Sequence, residues 1–257
     1  MIPVKGYAVH DPHSPLVPFS FERRDLRPND VHIDILYCGV CHSDIHQVRD
    51  EWGGSIYPMV PGHEIVGRVI ATGAAVTRFK PGDLAAVGVM IDTCRNCKPC
   101  KEGLEQYCVE GFTDTYNAIE RDGKTVAMGG YSTQIVTDEL FTYNVPDKLD
   151  LPGVAPLLCA GITTYSPLRY ARVGKGTRTG VIGLGGLGHM AVKFAASFGA
   201  EVTVLSTSPS KEADARRLGA HHFALTTDRD TMKSLDSYFD VIIDTLSANH
   251  DFNPYLD

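Results

Sequence analysis

The stretch Gly180-Val181-Ile182-Gly183-Leu184-Gly185-Gly186-Leu187-Gly188 decides how the second half of the chain reads. A short buried-strand run enters a glycine turn, and Leu187 to Phe198 then follows with helical periodicity. Glycines at 183, 185 and 188, set between a strand and a helix, form a dinucleotide fingerprint. They permit a tight turn and let a pyrophosphate approach the helix N-terminus, with Leu184, Gly186 and Leu187 in the same loop. A site for NAD would place Asp or Glu at the end of the next strand, about 20 residues on. Here Val202 to Leu205 is followed by Ser206, Thr207, Ser208, Pro209, Ser210 and Lys211. Hydroxyls and a lysine suit a phosphate rather than a bare 2′-hydroxyl, which favours NADP. A helix cap with a solvated lysine is the plainer alternative.

Outward from this loop, helices are predicted over Lys211–Leu218 and Thr231–Leu235, and strands over His222–Leu225 and Asp240–Asp244. Alternating strands and helices imply a parallel, doubly wound sheet. The count reaches four strands where a complete dinucleotide fold has about six. The expectation is a sheet cut short, with Val241–Ile243 as an open edge. The apolar run Leu151 to Arg169, helical in parts, opens this half, which is taken as residues 151–257.

Residues 1–150 differ in character. Val31 to Leu36 alternates side to side as a half-buried strand does, and Ile65–Thr72, Leu84–Val89 and Thr133–Val136 read as further strands. Lys80-Pro81-Gly82-Asp83 is a turn, and Ser43 to Val48 a short helix. The half is mostly β, a small barrel or folded sheet.

Its chemistry lies in cysteines and a histidine. Cys94, Cys97, Cys100 and Cys108 have the spacing of a closed, tetrahedral structural zinc site. An iron–sulfur run would bring its fourth cysteine sooner, and a thioredoxin-like reading leaves two cysteines unexplained. Cys41 in Cys-His-Ser-Asp, His63 in Pro-Gly-His-Glu and Cys159 downstream supply three ligands, the usual number for a catalytic zinc with an open position. Singly, each could be an ordinary core residue. Cys38 is read as packing. Ser43 and His46, two and five residues past Cys41, could relay protons, or be a helix cap and an exposed polar residue.

Composition narrows the classes. A net charge of −7 with no basic run argues against nucleic acid. No apolar stretch approaches the roughly 18 residues of a membrane span, and the N-terminus has no signal-peptide pattern. Seven unevenly spaced cysteines fit metal binding better than a disulfide framework, so the cytoplasm is expected.

These residues together resemble the zinc-dependent medium-chain alcohol dehydrogenases, the cinnamyl alcohol dehydrogenase and NADPH-dependent aldehyde reductase group above all. Gly62-His63-Glu64-x2-Gly67-x5-Gly73-x2-Val76, Cys38 to Asp44, the four-cysteine lobe, Gly129-Gly130-Tyr131-Ser132 and Gly183 to His189 stand in family order across essentially the whole chain. The resemblance implies a GroES-like catalytic domain followed by an incomplete Rossmann domain. It implies a catalytic zinc on Cys41, His63 and Cys159, with Glu64 able to enter the coordination sphere, and a structural zinc on the four-cysteine lobe. It places Ser43 and His46 on the proton relay, Thr163 beside the nicotinamide, Asp44 behind a metal ligand and Trp52 in the substrate wall. Family members continue past this chain's last residue and form homodimers. The implied reaction is reversible reduction of an aldehyde to a primary alcohol with NADP(H). Two other readings stand beside it: a non-catalytic zinc- and nucleotide-binding fragment, and a polyol dehydrogenase, which would prefer NAD and an acidic residue near 206.

Overall fold

The computed structural model describes residues 1–256. Asp257, which closes the second half as read from sequence, lies outside the described residues. The chain separates into two compact units, Met1–Cys159 and Ala160–Asp257. The division falls nine residues after the 150/151 boundary of the sequence reading. The reason is that Leu151, Val154, Ala155 and Leu158 pack on Val66 and Ala86 of the first unit.

The first unit opens with an antiparallel pair, β1 (Ile2–Ala8) and β2 (Val17–Arg23). Strand β3 (Asp30–Cys38) leads to helix α1 (His42–Val48) and then to β4 (Ile65–Thr72), β5 (Leu84–Val87) and β6 (Met90–Asp92). After the short helix α2 (Lys98–Lys101) come β7 (Thr113–Asp114), β8 (Gln134–Asp138), β9 (Thr142–Asn144) and helix α3 (Leu151–Val154). The main sheet is antiparallel in the order β8-β3-β4-β5-β9. Val31, Ile33, Ile65, Val69, Val87 and Ile135 fill its core. Each such side chain contributes about 1.5–3 kcal/mol when fully buried.

Two local readings are corrected. The alternation expected in β3 fails at its start, where Asp30, Val31, His32 and Ile33 are all buried. The polar pair is satisfied: Asp30 pairs with Arg24, and His32 Nε2 lies 3.2 Å from Gln134 Oε1. The strand expected over Leu84–Val89 ends at Val87, because the Gly88 and Val89 carbonyls turn to accept from the Thr115 hydroxyl and amide.

The second unit follows α4 (Ala160–Tyr170) with β10 (Arg178–Ile182), α5 (Gly186–Ser197), β11 (Glu201–Ser206), α6 (Glu212–Leu218), β12 (His222–Leu225), α7 (Arg229–Lys233) and β13 (Val241–Asp244). Its four described strands are parallel in the order β12-β11-β10-β13. Val181, Val202 and Val204 meet Ala191, Val192 and Ala195 of α5, all at or near zero exposure. Parallel strands covered by helices read as unbroken apolar runs, which is why these were legible from sequence. Among the described residues no helix is long and apolar enough to cross a membrane.

Candidate functional site

Helix α1 organises the first centre. Cys41 takes its N-cap position with extended backbone, and Asp44, three residues on, returns a carboxylate oxygen to the Cys41 amide at 3.0 Å. Asp44 is almost fully buried, yet its oxygens collect more donors: the Gly62 amide at 3.1 Å, His63 Nδ1 at 3.0 Å and the Tyr131 hydroxyl at 3.2 Å. Burial opposes its charge, but His63 and these donors hold the carboxyl below its ordinary range. With Nδ1 engaged, Nε2 of His63 is left to face outward, as carboxylate-backed metal histidines do.

Two glycines make this approach possible. Gly62 has φ +104°, and a Cβ there would stand 2.7 Å from the Tyr131 ring and 2.8 Å from Cys38 Sγ. At Gly39 a Cβ would lie 2.0 Å from Glu64 Oε2. Cys38 itself is packed among apolar neighbours, and burial pushes its thiol up to about 12.

Donor atoms of Cys41, His63, Glu64 and Cys159 all lie within 4.8 Å of one another. The Cys41 and Cys159 sulfurs are 3.8 Å apart. That is far beyond a disulfide and close to the roughly 3.8 Å edge of a zinc tetrahedron with Zn–S bonds of about 2.3 Å. Cys159 hydrogen-bonds to Cys41 and pulls its thiol far below the ordinary range, helped by His63 and Ser43 and opposed by burial, while Cys159 itself is driven up. Two sulfurs sharing one proton this closely are a site prepared to exchange that proton for a metal cation. The donor set and spacing fit zinc.

A cavity of about 230 Å³ opens onto His63 and Cys159, walled by Ser43, Gln47, Trp52 and Asp114. A larger one, about 320 Å³, is lined by Arg24, Arg27, Arg95 and carboxylates and contains none of these donors. Ser43 stands in the cavity wall and hydrogen-bonds to Cys41, and it does not cap α1, since Cys41 occupies that place. The His46 ring bonds through Nδ1 to Glu51 and stacks on Trp52 at 4.9 Å. Among the described residues no hydrogen bond joins Ser43 to His46.

The second donor group is local. Cys94, Cys97, Cys100 and Cys108 also lie within 4.8 Å of one another. Cys94 and Cys100 sulfurs are 3.9 Å apart, and backbone amides point at sulfur from Cys94 to Cys108 at 3.5 Å and from Cys97 to Cys94 at 3.4 Å. Amide donors from Cys100 and Val109 bring the Cys97 thiol down to about 6. Arg95, with φ +59°, ties this loop to Asp92 of β6 at 2.8 Å and to Asp138 of the main sheet at 3.0 Å.

In the second unit, Gly183 has φ +84°, and a Cβ on Gly188 would meet the Gly183 carbonyl at 2.2 Å. Those two positions require glycine for the turn and for helix–strand packing. Gly185 and Gly186 face open space at the start of α5, with Leu184 and Leu187 beside them. Ser206 ends β11, its hydroxyl accepting from the Ser208 amide at 3.1 Å. Thr207 and Lys211 follow, both exposed. Thr163 is exposed on the first turn of α4.

A family model described as the alcohol dehydrogenase GroES-like domain matches residues 27–147, and one described as zinc-binding dehydrogenase matches 186–257. The chain is 51% identical over 256 residues to NADP-dependent alcohol dehydrogenase C of Mycobacterium bovis, covering 100% of this chain and 74% of that protein. It belongs to the zinc-binding alcohol dehydrogenase family. Among solved structures, a cinnamyl alcohol dehydrogenase from Sorghum bicolor superposes with a TM-score of 0.95 at 46% identity, over 98% of this chain and 72% of that one. The cinnamyl alcohol dehydrogenase from Helicobacter pylori, solved with NADP(H), gives 0.93 at 46% identity, over 99% and 72%.

Sequence reasoning missed part of this dehydrogenase's site. Tyr131 was quoted only as part of a motif, and Tyr116, stacked on His63 at 5.9 Å, was not singled out. Gln47 and Asp114 carried no signal of their own. The single available clue was position: Gln47 lies one helical turn past Ser43 on α1, so both face the same side.

Proposed function

We propose that this chain is a zinc-dependent oxidoreductase that interconverts aldehydes and primary alcohols with NADP(H), working mainly as an aldehyde reductase. The observation that carries the reading is the convergence of Cys41, His63, Glu64 and Cys159 donors at the mouth of a cavity. Cys41, His63 and Cys159 would hold the catalytic zinc, with Glu64 as an exchangeable fourth ligand, and Cys94, Cys97, Cys100 and Cys108 the structural one. When bound, the zinc supplies Lewis-acid polarisation of the carbonyl oxygen and the cofactor supplies the hydride.

The chain's own residues do the rest. Asp44 keeps His63 in one tautomer and fixes its ring. Ser43, in the cavity wall, donates the proton that the product oxygen requires. His46, steered by Glu51 and Trp52, returns that proton from solvent, the link to Ser43 lying outside the protein's side chains. Ser206, Thr207, Ser208 and Lys211 would receive the 2′-phosphate, the glycine loop would receive the pyrophosphate, and Thr163 would serve the nicotinamide end of the cofactor.

The test is aldehyde-dependent oxidation of NADPH by the purified chain, with an aromatic and an aliphatic aldehyde and with NADH alongside. The expected result is turnover with NADPH at least about tenfold above NADH. Zinc-loaded protein that oxidises neither cofactor contradicts the reading. Lys211→Ala is expected to weaken NADPH more than NADH, and equal weakening overturns the cofactor assignment.

A further inference from the structure

Asp114 is the one carboxylate in the cavity wall among the described residues, and apart from the charge of His63 no side chain answers it. It sits at the end of β7, opposite Met90. Its side chain makes no ion pair and no hydrogen bond to another residue among the described residues, only to its own amide. Burial raises its carboxyl to about 6 against the charge of His63, and in its ionised form the group only accepts hydrogen bonds. Its oxygens are half-buried and not sealed from water, so a ligand hydroxyl that enters the cavity can replace solvent as their donor.

Gln47 supplies the opposite polarity in the same wall. Asn117 Oδ1 is committed to the Ile56 amide at 2.7 Å, which fixes its amide plane. Asn117 Nδ2 therefore faces Gln47, donating to Oε1 at 2.6 Å. That leaves the Gln47 Nε2 hydrogens for the cavity. One wall thus offers an unpaired acceptor and an unpaired donor. A hydroxyl group can donate to the first and accept from the second. An ammonium group can only donate, and a methyl group can do neither.

We infer that Asp114 and Gln47 form a specificity wall that selects compact alcohols and aldehydes carrying a second hydroxyl group away from the reacting carbon. The inference rests on the function proposed above and names its substrate class. Cavity size agrees: about 230 Å³ is below the roughly 300–1,000 Å³ of pockets for drug-sized ligands.

The comparison of choice is 1,4-butanediol with 1-pentanol, which have the same number of heavy atoms and differ by one hydroxyl for one methyl. Trp52 is the chain's single tryptophan and lines the cavity, so its fluorescence reports occupancy without turnover. The zinc-loaded chain is titrated with each alcohol, and each is then oxidised with NADP+. The diol is expected to bind at least about tenfold tighter and to show a kcat/KM at least about tenfold higher. Asp114→Leu removes most of that ratio, whichever way the absolute values move, and Asp114→Asn, which keeps an acceptor, retains most of it. Gln47→Leu lowers the ratio from a different element and serves if Asp114→Leu does not fold. An unchanged ratio in the folded leucine variants, or a wild-type preference for pentanol, overturns the wall. Diol-selective fluorescence without any turnover keeps the wall and sinks the dehydrogenase reading. Turnover of both alcohols with no dependence on Asp114 does the reverse.

Discussion

Two groups of donors in the first unit are built in opposite ways. Cys94 and Cys108, the outermost donors of the lobe, are 14 positions apart, whereas Cys41 and Cys159 are 118 apart. The lobe has little core of its own. Its helix α2 has four residues, none buried, and its loop is fastened to the sheet by Arg95. A metal there replaces packing. The dispersed centre is the product of packing: α1 brings Cys41 and Asp44, the turn before β4 brings His63 and Glu64, and the segment after α3 brings Cys159. This centre opens onto a cavity and has a buried carboxylate behind its histidine. On the proposed reading, cysteine sulfurs would therefore serve as a staple in one place and, with His63 and Glu64, hold a reagent in the other. What decides between them is whether the fold leaves a side open.

The difference can be broken from either end. The largest expected effect is on stability, at the lobe. Cys100→Ala should remove one zinc and lower the melting temperature by roughly 5–10 °C, with activity per remaining zinc within about tenfold of wild type. Calorimetry with metal analysis checks it. An undisturbed melting temperature would show that the lobe holds itself without metal.

Next is Asp44→Asn. It keeps the shape but weakens the grip on His63 and Cys41, and should reduce metal affinity of the dispersed centre by about 10–100-fold while leaving the lobe's metal in place. Competition with a chelator reads this directly, and parallel loss of both metals would contradict the separation.

The smallest effect sharpens the contrast through pH. The Asp114 carboxyl is raised from 3.8 to about 6 by burial, so the folded chain holds a proton that the unfolded chain releases. Stability contributed by this group is present below pH 4 and is lost as pH rises through that window. Asp114→Asn should thus melt with wild type at pH 3 and above it past pH 6. After discounting for solvent in the cavity, the margin is roughly 1 kcal/mol, or about 2–4 °C. Melting curves across that range decide it, and a margin that shrinks with rising pH would reverse the sign.

Legibility followed the same divide. The lobe could be read directly because its four cysteines announce themselves by spacing. Strands β4 and β13 and the glycine loop were also plain, since apolar runs, interrupted in β4 by Arg68, and required glycines leave few alternatives. Strands β1 and β2 were not singled out, although Val17 to Arg23 alternates, because Pro3 and Pro18 interrupt strands that pair only with each other. Cys41, His63 and Cys159 were weak singly and gained force only from motif context. Asp114 and Gln47 were invisible, because a lone carboxylate or amide has no sequence signature until the fold shows what fails to pair with it.

The dispersed centre, and not the lobe, is proposed as the catalytic metal site. Zinc content and aldehyde-dependent NADPH oxidation of wild type and Cys41→Ala, measured on the same preparations, test it most directly. Two zinc ions and turnover are expected in wild type, and one zinc ion, an intact circular dichroism spectrum and activity reduced by more than about a thousandfold in the variant. A Cys41→Ala protein that keeps its turnover would contradict it.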